Sequence, residues 1–179
     1  MRYYPYGPLE IPLSKRRIEY RNKEPLNQFW EQFDGIEKGI SEAVGCYIFS
    51  IRAGKGIRPW YVGMAEKQSF KKECFATHKL LNYNDCLESR KGTPVLTLLP
   101  RLTATGKFSK KGVNGHRDIR FLESLLISTC LQKNSELLNI KSTKLLRELE
   151  VPGLINSPKG RIKNEIKDFQ RLIGLVKNV

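Results

Sequence analysis

No two of the four cysteines, Cys46, Cys74, Cys86 and Cys130, form a CxxC pair, and neither histidine stands at metal-ligand spacing from one. A structural zinc site is therefore not expected. The scatter of thiols through apolar stretches predicts reduced, buried cysteines of an intracellular, cytoplasmic protein. No long uninterrupted apolar run occurs, and Met1-Arg2-Tyr3-Tyr4-Pro5-Tyr6 lacks an apolar h-region, so neither membrane spanning nor secretion is expected. A basic amphipathic helix with an aromatic face is also missing, which argues against a membrane-surface partner. Acidic residues are scarce: 18 Asp and Glu stand against 32 Lys and Arg, a formal charge of +14. So large a surplus repels itself in the folded state, and a polyanionic partner explains it better than a merely basic surface. Nucleic acid comes first, because phosphate contacts release counterions and dominate affinity.

What is present suits an ordered chain. Hydrophobic residues make up 40% of the 179, enough for one domain with extensions. Residues 1–24 read as an extended, irregular arm carrying Pro5, Pro8, Pro12 and the basic cluster Lys15-Arg16-Arg17. Pro25 opens a helix through Phe33, stopped near Asp34-Gly35. Val44 to Arg52 and Pro59 to Met64 read as two strands joined by Ala53-Gly54-Lys55-Gly56. From Gln68 to Leu81 a helix is predicted, with Phe70, Cys74, Thr77 and Leu81 on one stripe. Val95 to Leu99 suits a central strand, and residues 103–116 a mobile basic loop. A helix from Arg117 to about Lys133 turns Ile119, Leu122, Leu126 and Cys130 inward. After Ser157-Pro158 a last amphipathic segment runs from about Lys159 to Val176, its Phe169, Leu172, Ile173 and Val176 stripe expected to pack. The expectation is an α+β fold: a small, three-stranded, mainly antiparallel sheet flanked by helices. An N-terminal arm and helix (1–43), a core (44–140) and a C-terminal helical extension (141–179) would make one compact domain.

Gly45-Cys46-Tyr47 followed by Tyr61-Val62-Gly63 places one tyrosine at the same point of each of two adjacent strands. Glycine beside each favours close approach by a ligand or backbone over plain cross-strand packing. Downstream stand Phe70-Lys71-Lys72, His78, Phe121-Leu122-Glu123, Leu126-Ile127 and Asn139. In this order, over roughly residues 44–140, the set resembles the GIY-YIG nuclease superfamily. The resemblance implies phosphodiester hydrolysis on DNA. Tyr47 and Tyr61 would lie at the scissile phosphate, one of them helping to activate water, and Gly63 would let the backbone bend away from substrate. Glu123 would be the sole protein ligand of a catalytic Mg²⁺ (or Mn²⁺), His78 would point toward the phosphate, and Asn139 would be a structural polar residue near the site.

Physical chemistry supports those roles. One carboxylate plus substrate oxygens and waters is how magnesium prefers to be held. A tyrosine of pKa about 10 is a poor base unless cations or a metal stabilise its phenolate. Glu123, among Phe121, Leu122, Leu125 and Leu126, sits at an apolar boundary where a carboxylate needs a partner. The family's helix arginine is not matched: its place falls on Glu73 or Cys74, depending on the alignment. On one continuous helix Lys71 and His78 would share a face, making Lys71 a substitute cation with Lys72 beside it. Arg58 and Arg117 are further phosphate-binding candidates. Alternatively Glu73 is a second metal-site carboxylate, or the site is an inactive nucleic-acid-binding module.

Overall fold

The β-branched alternation of residues 44–52 and the apolar run at 95–99 become the two inner strands of a curled antiparallel sheet. The computed structural model describes residues 1–19, 24–112, 115–139, 143–157 and 163–176. Its strands are β1 (Arg2–Tyr3), β2 (Tyr6–Glu10), β3 (Gly45–Ala53), β4 (Gly56–Ala65) and β5 (Thr93–Leu102). Helices α1 (Glu24–Ile36), α2 (Phe70–Glu73), α3 (Thr77–Ser89) and α4 (Arg117–Lys133) accompany them, with α5 (Thr143–Glu148) and α6 (Asn164–Leu172) nearest the C-terminus. β3 lies between β4 and β5, while the other edge of β5 takes both β1 and β2, all antiparallel. The class is α+β, but the sheet has five strands rather than three. Two compact units result, Met1–Asn139 and Ile140–Val179.

The two extra strands come from the segment expected to be an irregular arm. Without it the outer edge of β5 would leave its peptide groups unpaired, and Tyr6, Leu9 and Ile11 would lose a core to join. The pairing slips by one residue between Tyr6 and Leu9, where Gly7 (φ +97°) passes over the Leu96 carbonyl. A side chain at residue 7 would meet that carbonyl, so the bulge requires glycine. Further along, Ile18 is buried, and Asn84 of α3 brackets its backbone: Oδ1 accepts its N–H at 2.8 Å and Nδ2 donates to its carbonyl at 3.2 Å.

Alternation along β3 divides the core. Tyr47, Phe49 and Ile51 face a large cluster with Phe29, Trp30 and Phe33 of α1, Phe70 of α2, and Leu80 and Tyr83 of α3. Val44 and Cys46 pack instead with Ile119 of α4, backed by Met64, Leu99, Leu122 and Leu126. Helices thus cover both faces. All four cysteines are buried and unpaired, and burial pushes the Cys86 and Cys130 thiols up to about 11.

The predicted helix over 68–81 is broken. α2 ends at Glu73 and α3 starts at Thr77, although no proline or glycine intervenes. Phe75 leaves the helical path to pack edge-on to Phe29 (5.6 Å between ring centroids) and against Trp30 (5.6 Å). The break re-phases α3: Thr77, His78 and Leu81 are exposed, while Lys79, Leu80, Tyr83, Cys86 and Leu87 turn inward.

The basic loop after β5 is pinned rather than free. Ser109 donates its N–H to Arg101 O (2.8 Å), receives Val44 N–H on its own carbonyl, and takes Arg101 Nη1 on Oγ at 2.9 Å. Val113 and Asn114 of that loop lie outside the described residues. The outer edge of β4 is closed in turn by residues 134–139. Leu138 N–H bonds Trp60 O, Asn134 Nδ2 bonds Pro59 O, and Asn139 pairs with both Val62 N–H (2.9 Å) and Val62 O (2.7 Å). Asn139 therefore holds a strand edge.

Asp118, in the first turn of α4, joins three elements: Tyr3 Oη donates to its Oδ2 at 2.7 Å and Arg101 Nε at 2.6 Å. Burial pushes the Asp118 pKa up, but those two donors pull it below the usual carboxylate range. A depressed carboxylate adds stability above its unfolded pKa, about 3.9, and that stability is lost as pH falls through the lower folded value. In urea titrations the unfolding free energy of the wild type is expected to fall more steeply than that of Asp118→Asn below about pH 4. Identical acid slopes would count against this role.

Among the described residues no helix is long and apolar enough to cross a membrane. In the second unit, Asn156 Nδ2 donates to the Leu146 and Leu149 carbonyls at the end of α5, and Gln170 Nε2 of α6 donates to Gly153 O at 3.1 Å. Leu172, Ile173 and Val176, expected to pack, are exposed. Pro158 and the expected start of that last segment, Lys159 to residue 162, lie outside the described residues.

Candidate active site

The two tyrosines of the paired motif are diagonal neighbours. Tyr47 on β3 is opposite Gly63, and Tyr61 on β4 is opposite Phe49. Trp60 is the extra residue of a bulge between the Phe49 and Ser50 pairings. The two phenol rings lie 6.3 Å apart, centroid to centroid, on the α1–α3 face. Tyr83 completes the group, stacked on Phe49 at 4.1 Å and edge-on to Tyr61 at 5.8 Å.

Gly63 serves a different purpose from the expected one. The Tyr47 ring lies directly over it, so a Cβ there would overlap Tyr47 Cζ and Oη. This is a cross-strand aromatic filling the space above a glycine, rather than backbone yielding to a substrate. Tyr47 is fully buried, with Phe70 edge-on at 6.4 Å, and cannot swing clear. Gly63→Ala is expected to cost about 2–3 kcal/mol by overpacking, read as a lower urea midpoint with an unchanged slope. An unshifted midpoint would mean the ring moves freely.

The cation at the tyrosines is Lys79. Its ammonium lies 5.1 Å from the Tyr47 ring centroid and pairs with Glu73, which also accepts from Gln68 Nε2. The Lys79 side chain is 5% exposed and that of Glu73 20%. Lys71 was the expected substitute for the missing arginine, on the premise of one unbroken helix with His78. The break removes that premise: Lys71 is exposed on α2 beside an apolar groove with Leu26, Trp30 and Phe75, and His78 is exposed on α3. Lys72 lines the same groove. Glu73, one of the two residues that align with the missing arginine, is the partner of Lys79.

Electrostatics places Glu123 relative to this group. It is half-buried on α4, the helix of the opposite layer, yet its charge raises both the Cys46 thiol and the Tyr61 phenol. Tyr61 is half-buried; burial first, then Glu123 and Glu73, push it up to about 12, against a small pull downward from the nearby Tyr47 hydroxyl. Burial drives Tyr47 and Tyr83 well above the usual phenol value. The Tyr47 and Tyr83 hydroxyls lie close to each other, but neither has a partner at hydrogen-bonding geometry. At neutral pH all three are therefore neutral phenols.

The remaining candidates are engaged elsewhere or simply exposed. Arg58 lies 5.2 Å from the Trp60 ring and 3.8 Å from Glu136, with Arg90 on the same ring at 4.0 Å. Arg117 is exposed at the start of α4. Nearby, Glu66 accepts His116 N–H and Arg120 Nε (2.9 Å); burial raises its carboxyl, but these donors hold it below the usual range. Among the described residues no group of three or more His, Cys, Asp or Glu side chains could hold a metal. A lone carboxylate in the manner expected of Glu123 is a different arrangement.

No family model, no curated protein and no solved structure matches the chain. Function therefore rests on the chain's own chemistry.

Sequence reasoning missed Lys79, Gln68 and Tyr83. The signal was present for two of them: Lys79, Tyr83 and Cys86 stand at i, i+4 and i+7, a helical stripe phased from the break.

Proposed function

We propose that this chain is a GIY-YIG-type, Mg²⁺-dependent (or Mn²⁺-dependent) endonuclease that hydrolyses DNA phosphodiester bonds. The observation that carries the proposal is Tyr61: a half-buried phenol on the hairpin, beside Tyr47, within the field of Glu123. The carboxylates Glu123 and then Glu73 raise that one phenol, and Glu73 pairs with Lys79. The Glu123 charge acts on Tyr61, and a single carboxylate suits a divalent cation. Glu123 would be its protein ligand, with phosphate oxygens and water completing the shell. When bound, the metal would supply polarisation of the phosphoryl oxygen and a lower pKa for bound water.

The chain's own residues have separable tasks. Tyr61 presents the phenol that can reach a substrate. It orients the attacking water by hydrogen bonding, because a phenol of pKa about 12 is no base at neutral pH. Tyr47, lying over Gly63, fixes the β3–β4 surface behind it. Lys79 turns the positive end of its ion pair with Glu73 toward the Tyr47 ring, and in so dry a site the dipole can act on a phosphate.

The test is nicking of supercoiled plasmid by the purified protein in Mg²⁺, and its loss in chelator and in Tyr61→Phe. A second reading, a nucleic-acid-binding module without turnover, is favoured by two observations: Tyr47 is fully buried, and Lys79 is already held by Glu73. It predicts salt-sensitive DNA binding with intact plasmid in both Mg²⁺ and Mn²⁺.

A further inference from the structure

The walls of a cleft of about 470 Å³ carry Lys67, Lys72, Lys110 and Lys111 against one carboxylate, Glu42. Lys67 lies just past β4, Lys72 belongs to α2, and Lys110 and Lys111 come from the pinned loop after β5. The fold, not the sequence, brings Lys67 and Lys72 to the adjacent Lys110 and Lys111. The tether of Ser109 to Arg101 and Val44 holds the loop against the sheet, and His116 Nε2 lies 3.2 Å from Lys110 O. All four lysines are exposed, and none forms an ion pair among the described residues. Like charges gathered without counterions repel, so the arrangement stores an affinity for an anion.

A second observation points to a ligand. Ser69 lines the same cleft, is 7% exposed, and its Oγ has no hydrogen-bond partner. Buried hydroxyls are ordinarily satisfied, and a hydroxyl is a donor that an anionic oxygen accepts.

We infer that this cleft binds the phosphodiester backbone of the nucleic acid and leads it toward Tyr61. The inference rests on the nuclease reading for its direction, though not for the binding itself. Gln68 supplies the connection: it lines the cleft and donates to Glu73, the partner of Lys79 beneath Tyr47. The cleft is thus joined, through Gln68 and Glu73, to the ion pair that packs on Tyr47. An anionic membrane fits less well, because the site is concave and its lining holds no large apolar side chain to enter a bilayer.

The experiment measures fluorescence anisotropy of labelled single-stranded and duplex DNA in chelator, from 50 to 200 mM salt, so no cleavage intervenes. The Lys67→Gln/Lys72→Gln/Lys110→Gln/Lys111→Gln variant is compared with wild type and with a control, Lys38→Gln/Lys55→Gln. Losing four phosphate contacts reduces the salt slope by about 3.6 for duplex, so wild-type affinity falls about a hundredfold more over that range than the variant's. The DNA form with the larger slope difference identifies the strand the cleft takes. A slope unchanged from wild type in the folded variant, or one lowered equally by the control, overturns the inference. So does loss of binding to phosphatidylserine vesicles with DNA binding intact. Thermal melts establish that the variant folds, and if it does not, the two double variants (67/72 and 110/111) are each expected to lose about half the slope difference. Plasmid cleavage is scored separately: absence of nicking with a normal slope difference removes the nuclease and leaves the cleft.

Discussion

Replacing Glu123 by alanine is expected to lower Mg²⁺-dependent plasmid nicking by at least about 1,000-fold, the scale of losing a principal electrostatic contributor to the transition state. DNA affinity in chelator should stay within about twofold, because one carboxylate contributes nothing favourable to counterion release. A second readout separates the site role from damage to α4. The Glu123 charge helps to hold the Tyr61 phenol up at about 12, so removing it must bring that phenol down. Phenolate absorbance during alkaline titration, taken as the difference from the same variant carrying Tyr61→Phe, reports the change. Equal cutting by both proteins would remove Glu123 from the chemistry, and an unmoved phenol would place it away from Tyr61.

Lys79→Met should lower the unfolding free energy by about 2–4 kcal/mol. The ammonium is nearly inaccessible, and its loss leaves Glu73 ionised at the edge of an apolar cluster with only Gln68 to satisfy it. The partial exposure of Glu73 keeps the figure below that of a fully buried pair. The double variant Lys79→Met/Glu73→Gln should recover most of the loss, because replacing both members of such a pair with neutral groups is often close to neutral. Activity should not return with stability, since the positive charge under Tyr47 is still missing. A stable double variant that nicks plasmid at the wild-type rate would reduce Lys79 to a structural ion pair.

The strands and α4 were legible because their patterns are local. Tyr47, Phe49 and Ile51 alternate with Cys46, Ile48 and Ser50, and that alternation is the division between the two cores. Ile119 and Cys130 were legible for the same reason at helical spacing. The break between α2 and α3 was not. Nothing in Cys74-Phe75-Ala76 disfavours helix, and the chain departs only because Phe75 finds Phe29 and Trp30, residues far away in sequence. That single tertiary choice moved the inward cation from Lys71 to Lys79 and left His78 in solvent. The arm misled in a similar way: Tyr6 to Glu10 is short and proline-bearing, and becomes strand only because β5 offers a bare edge. Gly63 was noticed for the right reason, the absence of a side chain, but the occupant of the vacant space is Tyr47 from the same sheet.

The closure of β4 by Asn134, Leu138 and Asn139 carries a practical consequence for cutting the protein down. These residues act as a detachable selvedge: they are neither strand nor helix, yet they seal the outer edge of β4. A fragment that stops at the end of α4 would keep every residue discussed for chemistry and still present a raw strand to its neighbours in the test tube, inviting fibrous or tangled precipitates. The smallest well-behaved piece therefore ends no earlier than Asn139, where the first compact unit also ends.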